Sequence, residues 1–331
     1  MNKIESSQRQ LLPDVTVLSD LPTDGITCLQ YLHKQPLERS DEELLVSTSW
    51  DGHVRIHNTS STKRSCVLDY NMNSGPLLSL TTLQSPQQQS SSSSLVTGGC
   101  DGSIRQLDIE TSTMTLIGKH VNTNNDIPTN PGDGHLQQQS SSQPVVACSC
   151  LVSAYPNIVI SAGWHQQLHI WDIRMSQGSS SVSPQHTISL PGKAFAMDID
   201  PKNHNLIAVA TSGRRNCFID IRYSNDNNNN SNVKVVEDCT LIMDRESSLK
   251  YQTRCLQFFP SGDSIVLGSI EGRAAVEFLD DLEPLRFRVT NTNNATTAST
   301  TTSQNSKFAF KCHRINDMVY PVNAEIGRAH V

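Results

Sequence analysis

The chain has no apolar run of the roughly 18 residues that a membrane-spanning helix requires, so no membrane partner is expected. Its opening stretch, MNKIESSQRQLLPDV, lacks the apolar centre of a secretory signal, and none is expected. There is no CxxC pair among nine cysteines, a usage that fits a reducing compartment and thiols serving as small buried hydrophobes. The alternation of Cys148 and Cys150 in VVACSCLVS reads as strand packing, and neither a structural metal nor a cofactor is expected. No GxSxG elbow, HExxH pair or P-loop is present. His53 and His57 alternate along one expected strand and His165 and His169 along another, as surface or internally satisfied histidines do. No catalytic constellation emerges, so the chain is not expected to be an enzyme. A net positive charge is also missing. The formal charge of −6 argues against non-specific nucleic-acid coating, although a local basic pocket is compatible with it.

Helical periodicity is absent as well: no segment carries a long 3.6-residue apolar repeat. What is present is a repeated β-hairpin. LLVSTSWDGHVRIHN (44–58), LVTGGCDGSIRQLD (95–108), IVISAGWHQQLHIWDIR (158–174), LIAVATSGRRNCFIDIR (206–222) and SIVLGSIEGRAAVEFLD (264–280) share one plan. Each is an apolar strand, a tight small-residue turn and a second alternating strand closing on an acidic or amide residue. With polar inserts set aside, the closing residues Asn58, Asp108, Asp172 and Asp220 recur about every 40 residues, and Asp280 follows after about 50. That period, with the WDIR closure at 171–174, predicts an all-β propeller of four-stranded WD-repeat blades rather than a β-sandwich. Only 36% of the chain is apolar, and the Ser, Thr, Asn and Gln tracts fall between blades, where they leave the core undisturbed. The expected layout is an N-terminal arm (1–20) and a propeller (21–324) with inserts at 84–94, 122–143, 176–184, 224–232 and 289–306.

ESSLKYQTRC (246–255), SIEGR (269–273), FKCHR (310–314) and VYPVNA (319–324), with TSWDGHVRIHN and SGRRN, resemble the WD-repeat subunit of the spindle-assembly checkpoint, the third of the "budding uninhibited by benzimidazole" group. A related family, the WD-repeat messenger-RNA export factor of the nuclear pore, shares FKCHR-like residues. The resemblance implies seven blades. Five hairpins are visible, a sixth blade would begin at VYPVNA, and EIGRAHV (325–331) lacks a strand pattern. About two blades are therefore expected to be missing, with 325–331 a non-native or mis-joined tail.

Several residues carry candidate binding chemistry. Trp50 and Trp164 sit at hairpin tips, either as lids on the core or as exposed anchors. Arg214 and Arg215 occupy another tip, either solvated or gripping carboxylates. Lys250 and Arg254, four apart in an extended segment, would share a face, with Arg273 approaching from the next hairpin. Three such cations suit either a solvated loop or a phosphate site. The resemblance implies a non-catalytic nuclear and kinetochore scaffold. Trp164, Arg214 and Arg215 would hold GLEBS peptides of checkpoint kinases. Arg254, Arg273, Lys250 and Trp50 would hold phosphorylated Met-Glu-Leu-Thr repeats of the kinetochore scaffold. It further implies membership of the mitotic checkpoint complex that inhibits a ubiquitin ligase, and no direct nucleic-acid partner. The export relative implies the alternative role, at the nuclear pore.

Overall fold

The computed structural model describes residues 18–32, 43–59, 65–83, 94–121, 145–176, 183–202, 204–225, 234–282, 307–315 and 318–323. They form five four-stranded antiparallel sheets, each built from consecutive strands. The first blade holds β1 (Ile26–Leu32), β2 (Leu44–Ser49), β3 (His53–Asn58) and β4 (Cys66–Asn71); the second holds β5 (Leu77–Leu83), β6 (Ser94–Gly99), β7 (Ser103–Asp108) and β8 (Met114–Lys119). The third holds β9 (Cys148–Tyr155), β10 (Ile158–Gly163), β11 (Gln167–Asp172) and β12 (His186–Ser189). The fourth holds β13 (Ala194–Ile199), β14 (Leu206–Thr211), β15 (Arg215–Asn225) and β16 (Lys234–Glu246). The fifth holds β17 (Thr253–Phe258), β18 (Ser264–Ser269), β19 (Arg273–Phe278) and β20 (Lys307–Lys311). A two-stranded ribbon, β21 (Arg314–Ile315) with β22 (Met318–Val319), follows. The helical content among the described residues is one short 3₁₀ turn at Ile173–Ser176.

Strand composition explains the stacking. The second strands of the third and fourth blades, IVISAG and LIAVAT, are buried at every residue because a neighbouring blade covers each face. Outer strands such as β4 and β12 alternate more and less buried positions, since one face meets solvent. The core is accordingly four slabs. Val46, Ile56, Leu80 and Leu95 fill the first seam; Val96, Ile104, Val159 and Trp171 fill the second. Ile160, Ile170, Val209 and Ile219 fill the third, and Phe218, Leu256 and Leu267 the fourth. The first strands β1, β5, β9, β13 and β17 pack side by side in that order, so the blades succeed one another along an arc.

Three expectations need correction. The polar tracts expected between blades fall within a blade in four of five cases, at the β5–β6, β11–β12, β15–β16 and β19–β20 connections, while 122–143 joins β8 to β9 of the next blade. The extra length before the fifth hairpin lies in the unusually long pair β15 and β16, of 11 and 13 residues. Ser94, Ser224 and Asn225, assigned to inserts by composition, pair with Asp108, Val235 and Lys234, because backbone pairing tolerates polar side chains at a strand end. Ser176, likewise assigned to an insert, ends the 3₁₀ turn. The remainder of those inserts and the 325–331 tail lie outside the described residues, apart from Ser183 and Pro184. Val322, in VYPVNA, stands against Gly268 of the fifth blade as Cys148 stands against Gly98 at the second seam, which is the position of an incoming first strand. Its N–H donates to the Ser269 carbonyl (3.0 Å).

Burial also sets one pH-dependent contact across the fourth seam. Asp198 on β13 accepts the Phe258 N–H of β17 at 2.8 Å. Burial pushes its carboxyl up to about 6, aided by Asp200, while the Phe258 and Ile199 N–H groups pull it down. The folded value exceeds the unfolded one, so the stabilisation from the protonated form is complete below the unfolded pKa and is lost as pH rises through about 6. Asn keeps the acceptor without the charge. The full shift corresponds to about 3 kcal/mol; residual solvent contact reduces this to about 1–2 kcal/mol. Asp198→Asn is therefore expected to raise the unfolding free energy at pH 7.5, measured by urea titration, by that amount and to leave it unchanged at pH 3.5.

Candidate functional site

Strand register aligns the five hairpin tips residue by residue. The closing pairs Thr48–Val54, Gly98–Ile104, Ala162–Leu168, Ala210–Asn216 and Gly268–Ala274 place Trp50, Cys100, Trp164, Ser212 and Ile270 at equivalent apices. Two places on, the chain turns left-handed at Gly52, Gly102 and Gly272 (φ 81°, 72° and 65°), as a tight hairpin turn requires. In the third and fourth blades that place is taken by Gln166 and Arg214 (φ 61° and 59°). A side chain there is strained by roughly 1 kcal/mol, so it needs compensating contacts. Arg214 has them. It pairs with Glu246 and donates from Nη1 to the carbonyl of Lys250 (3.1 Å). Its neighbour Arg215 turns the other way, to Asp244 (2.8 Å). Trp50 and Trp164 are exposed at 45% and 38%, so each presents part of its ring on the open face.

A second alignment lies on the first strands. Each carries a β-bulge one residue after its start, at Thr27, Leu78, Ser149, Phe195 and Arg254. A bulge inserts one unpaired residue and re-aims its side chain out of the sheet. Arg254 is thereby exposed between the buried Thr253 and Cys255, its guanidinium 6.0 Å from the ring of Phe195, the bulge residue of the preceding blade. Lys250 is exposed too, but Ser248–Tyr251 is bent rather than extended, so the expected strand-like sharing of a face by Lys250 and Arg254 does not hold. The bend is clamped instead. The Ser248 N–H donates to Glu277 Oε1 (2.8 Å), and the fully buried Glu277 is gripped by Arg245 (3.0 Å), which also binds Asp281 (2.7 Å). Arg245 lies 4.9 Å from the Phe218 ring.

Charge pairing separates the candidate cations into two groups. Arg214, Arg215 and Arg273 each hold an acid of this chain, the last being Glu271 (2.6 Å). Lys250 and Arg254 have no carboxylate within ion-pair distance among the described residues. Arg214, Lys250 and Arg254 gather at the seam of the fourth and fifth blades, with Arg273 at the start of β19 in the same fifth blade. Trp50, on the first blade, and Trp164, on the third, share the tip face but not this seam. The exposed apolar residues beside the cations are Tyr251 (50%) and Ile270 (44%), neither singled out from sequence. Their signal was available: Tyr251 adjoins Lys250, and Ile270 takes the tip position that Trp50 takes in the first blade.

On the hairpin of the first blade, the polar side chains satisfy one another. Burial alone would push the Asp51 carboxyl up, but the Ser49 hydroxyl, the His53 and Thr23 N–H groups and Arg55 hold it well below its usual range. His53 contacts Asp69 (2.6 Å) and His57 contacts the Ser19 carbonyl (2.9 Å), as satisfied histidines do. His165, however, is in a turn rather than on a strand with His169. The Cys150 thiol, pushed up to about 12 by burial, is in its unreactive form at neutral pH.

Comparison with known proteins agrees with this architecture. Residues 16–58 match the WD domain, G-beta repeat. A mitotic checkpoint protein bub3 of Dictyostelium discoideum is 28% identical over 313 residues, covering 93% of this chain and 71% of the relative. The mitotic checkpoint protein bub-3 of Caenorhabditis elegans is 26% identical over 286 residues, 85% of this chain and 63% of its own length. A Poly(A)+ RNA export protein of Schizosaccharomyces pombe is 28% identical over 313 residues, 94% of this chain and 66% of its own length. The chain thus spans about two thirds of the length of these relatives. It is a WD-repeat β-propeller chain, similar over most of its length both to mitotic checkpoint proteins and to an RNA export protein.

Proposed function

We propose that this chain is a non-catalytic adaptor of the spindle-assembly checkpoint that reads phosphothreonine peptides on its hairpin-tip face. The observation that carries the reading is Arg254: a bulge presents it on the open face with no carboxylate among the described residues to hold it, four residues after the exposed and equally unpaired Lys250. A phosphothreonine brings about −1.5 to −2 charge and three acceptor oxygens, which such a pair of cations satisfies. Arg273 adds a third donor once it releases Glu271, and Tyr251 and Ile270 offer apolar surface that complements the more distant Trp50. The ligand is a phosphorylated Met-Glu-Leu-Thr repeat of the kinetochore scaffold. A GLEBS peptide of a checkpoint kinase is held by Trp164, Arg214 and Arg215, its glutamates displacing Glu246 and Asp244. Together these contacts bring kinases, and the complex that inhibits a ubiquitin ligase, to kinetochores of the mitotic nucleus.

Similarity to an RNA export protein at 28% identity favours a second reading, a role in messenger-RNA export. Fluorescence anisotropy separates the two. The adaptor reading expects the phosphorylated Met-Glu-Leu-Thr peptide to bind at least tenfold tighter than its unphosphorylated form and to resist competition by single-stranded poly(A). Equal affinity for both peptide forms, together with tight poly(A) binding, would establish the export reading instead.

A further inference from the structure

The hairpins of the first two blades share a device that the third replaces. Asp51 and Arg55, four residues apart, pair at 2.9 Å, and Asp101 and Arg105 pair at 2.8 Å. The same two places in the third blade hold His165 and His169, whose Nε2 atoms lie 2.8 Å apart. Two imidazoles offer none of the charge attraction that an Asp–Arg pair supplies. A third imidazole joins them from the second blade: His120 follows β8, with its ring centre 4.4 Å from that of His165 and 5.1 Å from that of His169. One ring nitrogen from each of the three lies within 4.8 Å of the others, and all three residues are more than nine-tenths buried.

Hydrogen bonding around the trio orients it. His120 Nε2 lies 2.7 Å from Ser161 Oγ, which also accepts the Trp171 Nε1–H (2.8 Å). His169 Nδ1 lies 2.9 Å from Thr187 Oγ1. A hydroxyl on one ring nitrogen fixes the orientation of a ligating histidine: it leaves Nδ1 of His120 open and turns Nε2 of His169 toward His165. The inner side, by contrast, is unsatisfied. Nδ1 of His120 and Nδ1 of His165 are buried without a hydrogen-bond partner, and both face Gly163, where no side chain intervenes. The Ala147 carbonyl is near enough to favour the His120 cation but is not aligned to accept a bond. In either tautomer each atom is an unmet donor or a bare lone pair, at a cost of about 1–3 kcal/mol apiece.

We propose that His120, His165 and His169 form a binding site for a divalent transition metal, zinc being the best fit to three imidazoles. Zinc–nitrogen bonds of about 2.0–2.1 Å place tetrahedral ligands about 3.4 Å apart, within about 1 Å of movement for each ring here. The fourth position goes to a water, hydroxide or chloride from solvent. Burial disfavours the charged form of all three rings. The ion clips the segment leaving the second blade onto the hairpin of the third, a structural role at a seam that an Asp–Arg pair within one blade cannot fill.

The test uses the untagged full-length chain, stripped with chelator and titrated with zinc and with cobalt(II). The expected result is one equivalent bound at micromolar or tighter Kd, tetrahedral visible absorption with cobalt, and a thermal midpoint about 5 °C higher at a hundredfold excess over Kd. His120→Gln is expected to weaken binding at least a hundredfold. Since a single variant could unfold the seam, the double variant His165→Asp/His169→Arg restores the ion pair of the first two blades; it is expected to fold and not to bind. The control His53→Gln, remote from the trio, leaves binding unchanged. Zinc binding no tighter than millimolar in the wild type, or binding retained in the double variant, would overturn the proposal.

Discussion

Arg245→Ala is expected to lower the stability of the chain by about 3–5 kcal/mol, read as the loss in unfolding free energy by urea titration. Removing one partner of a buried ion pair leaves the other charged and unsolvated, which costs more than the pair itself contributed. Here the stranded group is Glu277, fully buried between the fourth and fifth blades, with Asp281 losing the same partner. Against a typical total of about 5–15 kcal/mol, that loss brings the fold near its threshold. It also reaches the face above. Glu277 Oε1 holds the Ser248 N–H, so a displaced Glu277 releases the bend that carries Lys250. Glu277→Gln keeps an acceptor for Ser248 and a neutral partner for Arg245, and should cost less than half as much. Equal losses in the two variants would show that the charge of the pair itself, rather than the stranding of one buried charge, holds this seam.

Trp171→Ala is expected to cost a comparable amount, about 3–5 kcal/mol, through a cavity at the second seam and a missing donor to Ser161. Trp171 is 1% exposed and lies against Gly118 of β8; a Cβ at Gly118 would overlap its Cε3, Cζ3 and Cη2 atoms. Gly118→Ala should therefore cost about 1–3 kcal/mol in the wild type by overpacking. In a Trp171→Ala background that cost should vanish, because the ring that the methyl meets is gone. A double-mutant cycle measures this directly, and strict additivity would contradict direct packing of the two residues.

The hairpins were legible in the sequence because their information is local. An apolar run such as LLVSTS, a turn such as WDG and an alternating partner such as HVRIHN specify strand, turn and register within about fifteen residues. What escaped reading lies across seams. His120 meets His165 and His169 only because the chain crosses from one blade to the next, and Arg245 finds Glu277 for the same reason. The bulge at Arg254 left no mark in its own segment: TRCLQF reads as a plain strand, and only the paired register with Ser269 and Gly268 exposes the extra residue. One cross-blade signal was present and unused. Aligning DGHVR, DGSIR and HQQLH column by column places His165 and His169 where Asp and Arg stand in the other two.

The proposed recognition of phosphate at the fourth seam rests on Arg254 more than on any other side chain of the face. Calorimetric titration of the full chain with a phosphothreonine Met-Glu-Leu-Thr peptide, in wild type and in Arg254→Gln, tests it most directly. A charge-assisted hydrogen bond of about 1.5–3 kcal/mol predicts that the variant binds roughly 10- to 100-fold more weakly, with its thermal midpoint unchanged because Arg254 is exposed and holds no acid among the described residues. Undiminished binding by Arg254→Gln, with phosphate still required, would contradict the assignment.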